Sequence, residues 1–252
     1  MKICVAQAEA VKGDIRQNLE NHKKLIDLAV DNKAEMIIFP ELSITGYEPE
    51  LAKELANDKD DSRLNDLQEI SDTHEIIIGV GMPTKFKGDF RITMIIFQPH
   101  QPRESYSKQH VHADEYPFFV NGDKQVFLSS NNNKIAIGIC YETSVPKHSE
   151  YAFNHGANVY IASSLESRKA IGRALENLSG VARKYNMTVL LANYVGQSGG
   201  YDCAGLTSIW NNKGILLGQL NDTDPGILMI DTNTQEITKL YHIPKTSKIN
   251  QV

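Results

Sequence analysis

Three short stretches of this chain carry side chains able to do chemistry. The first is Phe39-Pro-Glu41-Leu-Ser-Ile-Thr-Gly-Tyr47, where a carboxylate directly follows an apolar run and a proline. It stands at the carboxyl end of an expected strand, where open α/β sheets place their sites. The second is Tyr106-Ser-Lys108-Gln-His110, continuing through His112, Asp114 and Glu115 to Tyr-Pro-Phe-Phe119. Loop lysines are ordinarily solvated, but a loop with this many aromatic rings is expected to fold inward and line a pocket. The third is Gly138-Ile-Cys140-Tyr-Glu142. Here a cysteine ends an apolar strand and Pro146 opens a helix soon after, a strand-to-helix turn of the kind that exposes a nucleophile and favours its thiolate.

Taken together, these residues make one mechanism possible. A thiol needs a base to accept its proton, and an acyl carbon under attack needs a fixed donor for its oxyanion. Glu41 suits the base, Cys140 the nucleophile and Lys108 the donor. Glu142 lies two residues from the thiol. It is either a second base or, as we assign it, a complement to the positive start of the helix. The alternative for Cys140 is an inert core thiol, and for Glu41 a solvated loop carboxylate. His110-x-His112 with Asp114 invites a metal reading, but it lacks both a helical i, i+4 pair and a CxxC partner, so no metal is expected. Cys4 and Cys203 lie in strand-like segments and are read as inert.

Composition narrows the setting. The 252 residues include 26 basic and 31 acidic side chains, a net charge of −5, so no basic field points to nucleic acid. Hydrophobic content of 41% and charged content of 23% exclude a disordered or collagen-like chain. A chain this long buries roughly three quarters of its unfolded surface. The longest apolar runs are strand-sized, so no membrane span is expected. No signal-peptide layout opens the sequence, and three cysteines cannot build a disulfide framework. A cytoplasmic globular protein with reduced thiols is the expectation.

The elements that must position these residues follow from periodicity. Strands are expected over 2–8, 36–39, 76–80, 91–97, 126–128, 135–139 and 159–161, then over 188–192, 206–210, 215–217 and 226–230. Asp14 caps a helix running to Asp31, a charged helical stretch covers 61–73, and Pro146 opens a helix over 146–154. The stretch 170–185 is amphipathic, with Leu175, Leu178 and Val181 on one face. Residues 105–123 form the least regular region. No repeat or linker divides the chain, so one α/β domain is expected over 1–252, with 232–252 a polar tail that wraps or pairs with a partner subunit.

The order and approximate spacing of Phe39-Pro-Glu41, Tyr106-Ser-Lys108-Gln-His110 and Gly138-Ile-Cys140-Tyr-Glu142 resemble the three motifs of the nitrilase superfamily, the carbon–nitrogen hydrolases. Arg173-Ala-Leu-Glu-Asn177, Ala192-Asn193 and Gly205-Leu-Thr-Ser208 resemble its later blocks. The resemblance implies a four-layer αββα sandwich assembled as homodimers or larger homo-oligomers. It also implies hydrolysis of a nonpeptide C–N bond through a cysteine thioester, without metal or organic cofactor. Glu41, Lys108 and Cys140 take the triad roles, with the Tyr141 N–H as second oxyanion donor. Glu115 matches a glutamate that positions substrate and holds the lysine. Tyr47, Phe118, Ser164 and Asn193 are expected around the pocket.

Departures from the family pattern bear on the substrate. Tyr141 stands where nitrilases usually carry tryptophan, and the run Tyr141-Glu-Thr-Ser-Val-Pro146 differs from that of the ω-amidase-like members. Arg168 and Arg173 were the arginines available to a substrate carboxylate, with helix-surface roles expected for both. The expectation is therefore a thiol amidase for a small aliphatic amide. Alternatives are a nitrilase, an N-carbamoyl-amine hydrolase, an acyltransferase using the same thioester, or a silent binding or scaffold member.

Overall fold

The computed structural model describes residues 1–130 and 132–242. In chain order the first half contains β1 (Lys2–Glu9), α1 (Ile15–Asp31), β2 (Met36–Ile38), α2 (Ala52–Leu55), α3 (Asn65–His74), β3 (Ile77–Phe86), β4 (Asp89–Phe97) and β5 (Glu104–Ser107). The middle contains β6 (Phe127–Ser130), β7 (Asn133–Ile139), α4 (Pro146–Asn154), β8 (Val159–Ser163), α5 (Ile171–Tyr185) and β9 (Thr188–Val195). A small hairpin, β10 (Gln197–Ser198) and β11 (Tyr201–Asp202), precedes β12 (Ser208–Trp210), β13 (Leu216–Gln219), β14 (Gly226–Asp231) and β15 (Ile237–Tyr241).

These strands form two sheets joined at one corner. One runs β5-β4-β3-β2-β1 and continues through β14 to β15. The other runs β6-β7-β8-β9 and continues through β12 to β13. They meet where Gln7, Ala8 and Glu9 of β1 pair in parallel with Asn193, Tyr194 and Val195 of β9. The second sheet shows why two sheets and two helical layers follow from the sequence. Its parallel strands β7, β8 and β9 are mostly apolar, which suits a sheet covered on both faces. The side-chain alternation then divides them: Ile135, Ile137, Ile139, Val159, Ile161 and Leu190 enter the core between the sheets. Their neighbours Ala136, Tyr160, Ala162, Val189 and Leu191 face α5. There they meet Leu178, Val181, Ala182 and Tyr185. On the opposite outer face α1 buries Leu19, Leu25, Ile26 and Ala29 against β1 and β14. The result is the four-layer αββα sandwich expected.

Two regions differ from the pattern reading. The irregular 105–123 stretch begins inside β5, which pairs with β4 as an edge strand. Its short, mixed sequence carries no alternation strong enough to announce a strand. The tail does not leave the fold after Asp231, because Ile237–Tyr241 pairs antiparallel with β14 of the same chain. Residues 243–252 of that tail lie outside the described residues. Among the described residues, no helix is long and apolar enough to cross a membrane.

Candidate active site

The parallel strands β1, β2 and β3 and the parallel strands β7, β8 and β9 deliver their carboxyl ends to one side of the sandwich. Glu41 follows β2 by a short step. Leu42 next to it takes a left-handed conformation at φ 53°. This tight turn presses on β3 at Gly81, where a Cβ would stand 2.2 Å from the Leu42 nitrogen. Only glycine fits there. Ser163 donates to the Phe39 carbonyl at 2.8 Å and Tyr194 to the Glu41 carbonyl at 2.7 Å, so the second sheet pins the backbone that carries the acid.

Lys108 follows β5, and its ammonium is fully buried. Its Nζ donates to Glu41 Oε1 at 2.7 Å and to Glu115 Oε1 and Oε2 at 2.8 and 2.9 Å. Glu115 accepts further bonds from the Tyr47 hydroxyl at 2.8 Å and the His112 N–H at 2.7 Å. Two carboxylates therefore share one lysine. Burial pushes Glu41 up to about 7, with Lys108 pulling it down and Glu115 pushing it further up. Burial alone would lower Lys108, but Glu41, Cys140 and Glu115 outweigh it and hold the ammonium charged. Glu41 Oε2 is buried without a hydrogen-bond partner among the described residues. Its neighbouring donor is the Cys140 thiol, which favours the ionised carboxylate.

Cys140 directly follows β7 with φ 45°, the strained left-handed turn of a nucleophile elbow. Its Sγ lies 3.8 Å from the Leu165 carbonyl. Burial raises the thiol well above its ordinary range, Glu41 adds to this, and Lys108 opposes it. Burial therefore favours the neutral thiol over the thiolate. A short 3₁₀ helix over Cys140–Ser144 places the Tyr141 N–H in a first turn, where N–H groups have no intrahelical acceptor.

Glu142 stands in the first turn of this 3₁₀ helix, as a complement to a helix start would, and it is also fully buried. Its Oε1 accepts from the N–H groups of Gln109 at 2.5 Å and His110 at 3.2 Å. Its Oε2 accepts from the Ile139 N–H and the Tyr106 hydroxyl, both at 2.7 Å. One carboxylate thus ties the lysine loop to the cysteine turn. Tyr106 also meets His148, which in turn bonds Tyr160 at 2.8 Å. The rings of His110 and His112 go separate ways. His110 stands edge-on to His148 at 6.2 Å, while His112 stands edge-on to Tyr141 at 4.9 Å with Nδ1 on Asp114.

A cleft of about 460 Å³ opens onto the thiol, lined by Glu41, Tyr47, Glu115, Cys140 and Tyr141 among others. Of the residues expected around it, Phe118 lines an adjoining groove with Tyr47 and Tyr201 instead. Ser164 is buried, its hydroxyl has no hydrogen-bond partner among the described residues, and it does not line the cleft. Asn193 acts from behind: its Oδ1 accepts from the Glu166 N–H at 2.8 Å and its Nδ2 donates to the Gly205 carbonyl at 2.7 Å. Arg168 is held by Asp202 and Asp222 at 3.2 and 2.8 Å. Arg173 lines the cleft from an exposed position on α5. Sequence reasoning missed Glu166, whose half-buried side chain also lines the cleft. A lone acid in Ser-Leu-Glu-Ser carries no local signal of such a place. Cys203, read as lying in a strand, instead forms an isolated bridge with Ser167.

This fold and this constellation define a class, and the comparisons with known proteins agree. The carbon–nitrogen hydrolase family model matches residues 2–241, and the chain belongs to that family. The hydrolase in the agr operon of Staphylococcus aureus is 24% identical over 94% of this chain and 93% of its own length. An (R)-stereoselective amidase from Pseudomonas sp. is 23% identical over 65% of this chain and 60% of its own. Among solved structures, a nitrilase-superfamily amidase from Nesterenkonia sp. AN1 shares the fold at a TM-score of 0.84. It is 23% identical over 92% of this chain and 90% of its own, and was solved in complex with butyramide.

Proposed function

We propose that this carbon–nitrogen hydrolase is a thiol amidase that cleaves small aliphatic amides through a thioester on Cys140. The observation that carries this reading is the Glu41 carboxylate, which neighbours the Cys140 thiol and has Oε1 clamped by Lys108 and Oε2 buried without a hydrogen-bond partner among the described residues. An orphaned carboxylate oxygen is expensive to bury, and a proton arriving from a neighbouring thiol relieves that expense.

Glu41 takes the thiol proton as sulfur attacks the amide carbon. The developing oxyanion meets Lys108 and the Tyr141 N–H. Both Lys108 contacts to Glu115 can be served by one N–H, which leaves a third for the substrate oxygen. On collapse the C–N bond breaks and Glu41 returns the proton to the departing ammonia or amine. Water then gives its proton to Glu41 and attacks the thioester carbon, and the carboxylic acid leaves as the proton returns to sulfur. The two neighbouring amidases, one of them solved with butyramide, support the amide over other C–N substrates. Tyr141 in place of tryptophan supports amides over nitriles. The whole chain acts as one cytoplasmic hydrolase domain. A second copy is expected to cover the outer face of α4, where Tyr151 and Phe153 are exposed.

Intact-mass spectrometry after mixing with amides, carbamoyl amines and nitriles tests the reading. It expects an acyl increment on wild-type protein, from amides, and none on Cys140→Ala. An increment from nitriles alone, or activity lost to a chelator and restored by zinc, would overturn it. Thiol alkylation is expected to abolish turnover, and chelation to leave it unchanged.

A further inference from the structure

We propose that Glu166 selects amides carrying a cationic group, such as an amine, at the end distal to the bond that is cleaved. The inference rests on the amidase reading above and names the substrate class that this particular cleft accepts. Glu166 directly follows Leu165, whose carbonyl lies 3.8 Å from Cys140 Sγ. Asn193 grips both its N–H at 2.8 Å and its carbonyl at 3.3 Å, so the residue is rigidly held at the cleft wall.

Its carboxylate makes no hydrogen bond or ion pair recorded among the described residues. Most of the other charged groups at the cleft are already engaged. Lys108 serves Glu41 and Glu115, Asp114 pairs with His112, and Arg168 is taken by Asp202 and Asp222. Arg173 is the remaining guanidinium lining the cleft and forms no salt bridge with Glu166 among the described residues. A neutral substrate chain laid over Glu166 would strip water from an acid and give nothing back. An ammonium would replace that water with a charge-assisted hydrogen bond.

A second feature points the same way. Tyr47 and Tyr201 stand edge-to-face in the same cleft with ring centroids 6.2 Å apart, and Tyr201 is 41% exposed. Aromatic rings that line the same cleft as a carboxylate suit a cation. Burial also pushes Glu166 up to about 7, against the pull of Lys108, so an arriving ammonium would hold it ionised.

The test compares 4-aminobutanamide with its neutral isostere pentanamide and with the anionic monoamide of succinic acid. Wild-type kcat/KM is expected to favour the ammonium compound over pentanamide by roughly 10–100-fold, the worth of one charge-assisted contact. Glu166→Gln should collapse that ratio, and Glu166→Asp, which keeps the charge, should retain most of it. A wild-type ratio near one, or a ratio unchanged in Glu166→Gln, overturns the proposal. If no amide is turned over, the amidase reading is what fails. Calorimetric binding of the same three compounds to the Cys140→Ala protein then decides this inference. A cation preference that Glu166→Gln abolishes in that background supports it, and equal binding refutes it. Should Glu166→Gln fail to fold by circular dichroism, the comparison of Glu166→Asp with wild type across ω-amino amides of increasing length decides. A shifted length optimum is expected, and an unmoved one refutes the proposal.

Discussion

Two buried glutamates flank the cysteine turn, and they are satisfied in opposite ways. Glu142 has both oxygens filled by three backbone N–H groups and a tyrosine hydroxyl. Glu41 has one oxygen on Lys108 and the other with no partner. A carboxylate with every lone pair engaged is built into a scaffold, because losing any donor leaves a buried group unpaired. A carboxylate with a spare oxygen facing a thiol is set up to exchange a proton. Burial raises both acids, so titration behaviour alone does not separate them. Hydrogen-bond saturation does.

The largest effects should come from the unsatisfied side. Glu41→Gln keeps the shape but cannot accept a proton, so kcat on a confirmed amide should fall roughly 10²–10⁴-fold. Lys108→Ala removes the oxyanion donor and should cost on the order of 10²–10³-fold or more. Steady-state rates on the folded variants check both. A near wild-type Glu41→Gln would erase the contrast.

Glu142→Gln is the matching break on the saturated side. The amide places an NH₂ against N–H donors that a carboxylate accepted, leaving a conflict worth roughly 1–3 kcal/mol for each donor stranded. Thermal unfolding should show a clear loss of stability. The fall in kcat should be smaller than for Glu41→Gln, since Glu142 acts only through the loops it joins. A Glu142→Gln protein that is fully stable yet dead would make it the base and reverse the two roles.

How much of this was legible in the sequence follows the range of the interactions. Glu41 and Cys140 each follow a strand whose end is visible locally, whereas Lys108 follows β5, which carries no such pattern, and was legible only through the aromatic residues around it. The covering of the second sheet was legible too, since its parallel strands β7, β8 and β9 are mostly apolar. The helix-start place of Glu142 was legible, but its tie to the lysine loop was not, because Gln109 and His110 sit more than thirty residues away and nothing near Glu142 announces their N–H groups. Glu166 was invisible for a related reason, as its place depends on the Asn193 side chain from β9. Strand β15 lies in what the sequence reads as a tail that wraps or pairs with a partner subunit, because Ile-Thr-Lys-Leu-Tyr is short and mixed and only pairing with β14 makes it a strand.

The pH profile sharpens the comparison without removing either acid. Glu41 must be ionised to act, and burial sets it at about 7. The acidic limb of kcat/KM should therefore rise through about pH 7 and level above it. Glu115 pushes Glu41 upward, so Glu115→Gln should move that limb to lower pH, while Glu142→Gln should move it far less. Stability runs the other way. A folded pKa above the unfolded value means the folded state holds its proton longer. The contribution is whole below the ordinary carboxylate range and is lost as pH rises through about 7. Chemical denaturation across that window should show the decline in wild type and a flatter curve in Glu41→Gln.

The smallest effect expected is at Tyr47, which touches the active cluster at one point. Its hydroxyl donates a single 2.8 Å bond to Glu115 Oε1. Glu115 keeps its two contacts with Lys108 and the His112 N–H when that bond is lost. Tyr47→Phe retains the ring that lines the cleft and deletes only the donor, a change worth about 1 kcal/mol. The fall in kcat/KM should stay within roughly tenfold, with the acidic limb of the profile nearly in place. A loss as deep as that of Lys108→Ala would show that Glu115 depends on this one donor for its position. Tyr47 would then belong to the unsatisfied side of the molecule, and the contrast would have to be drawn around a larger cluster than Glu41, Lys108 and Cys140.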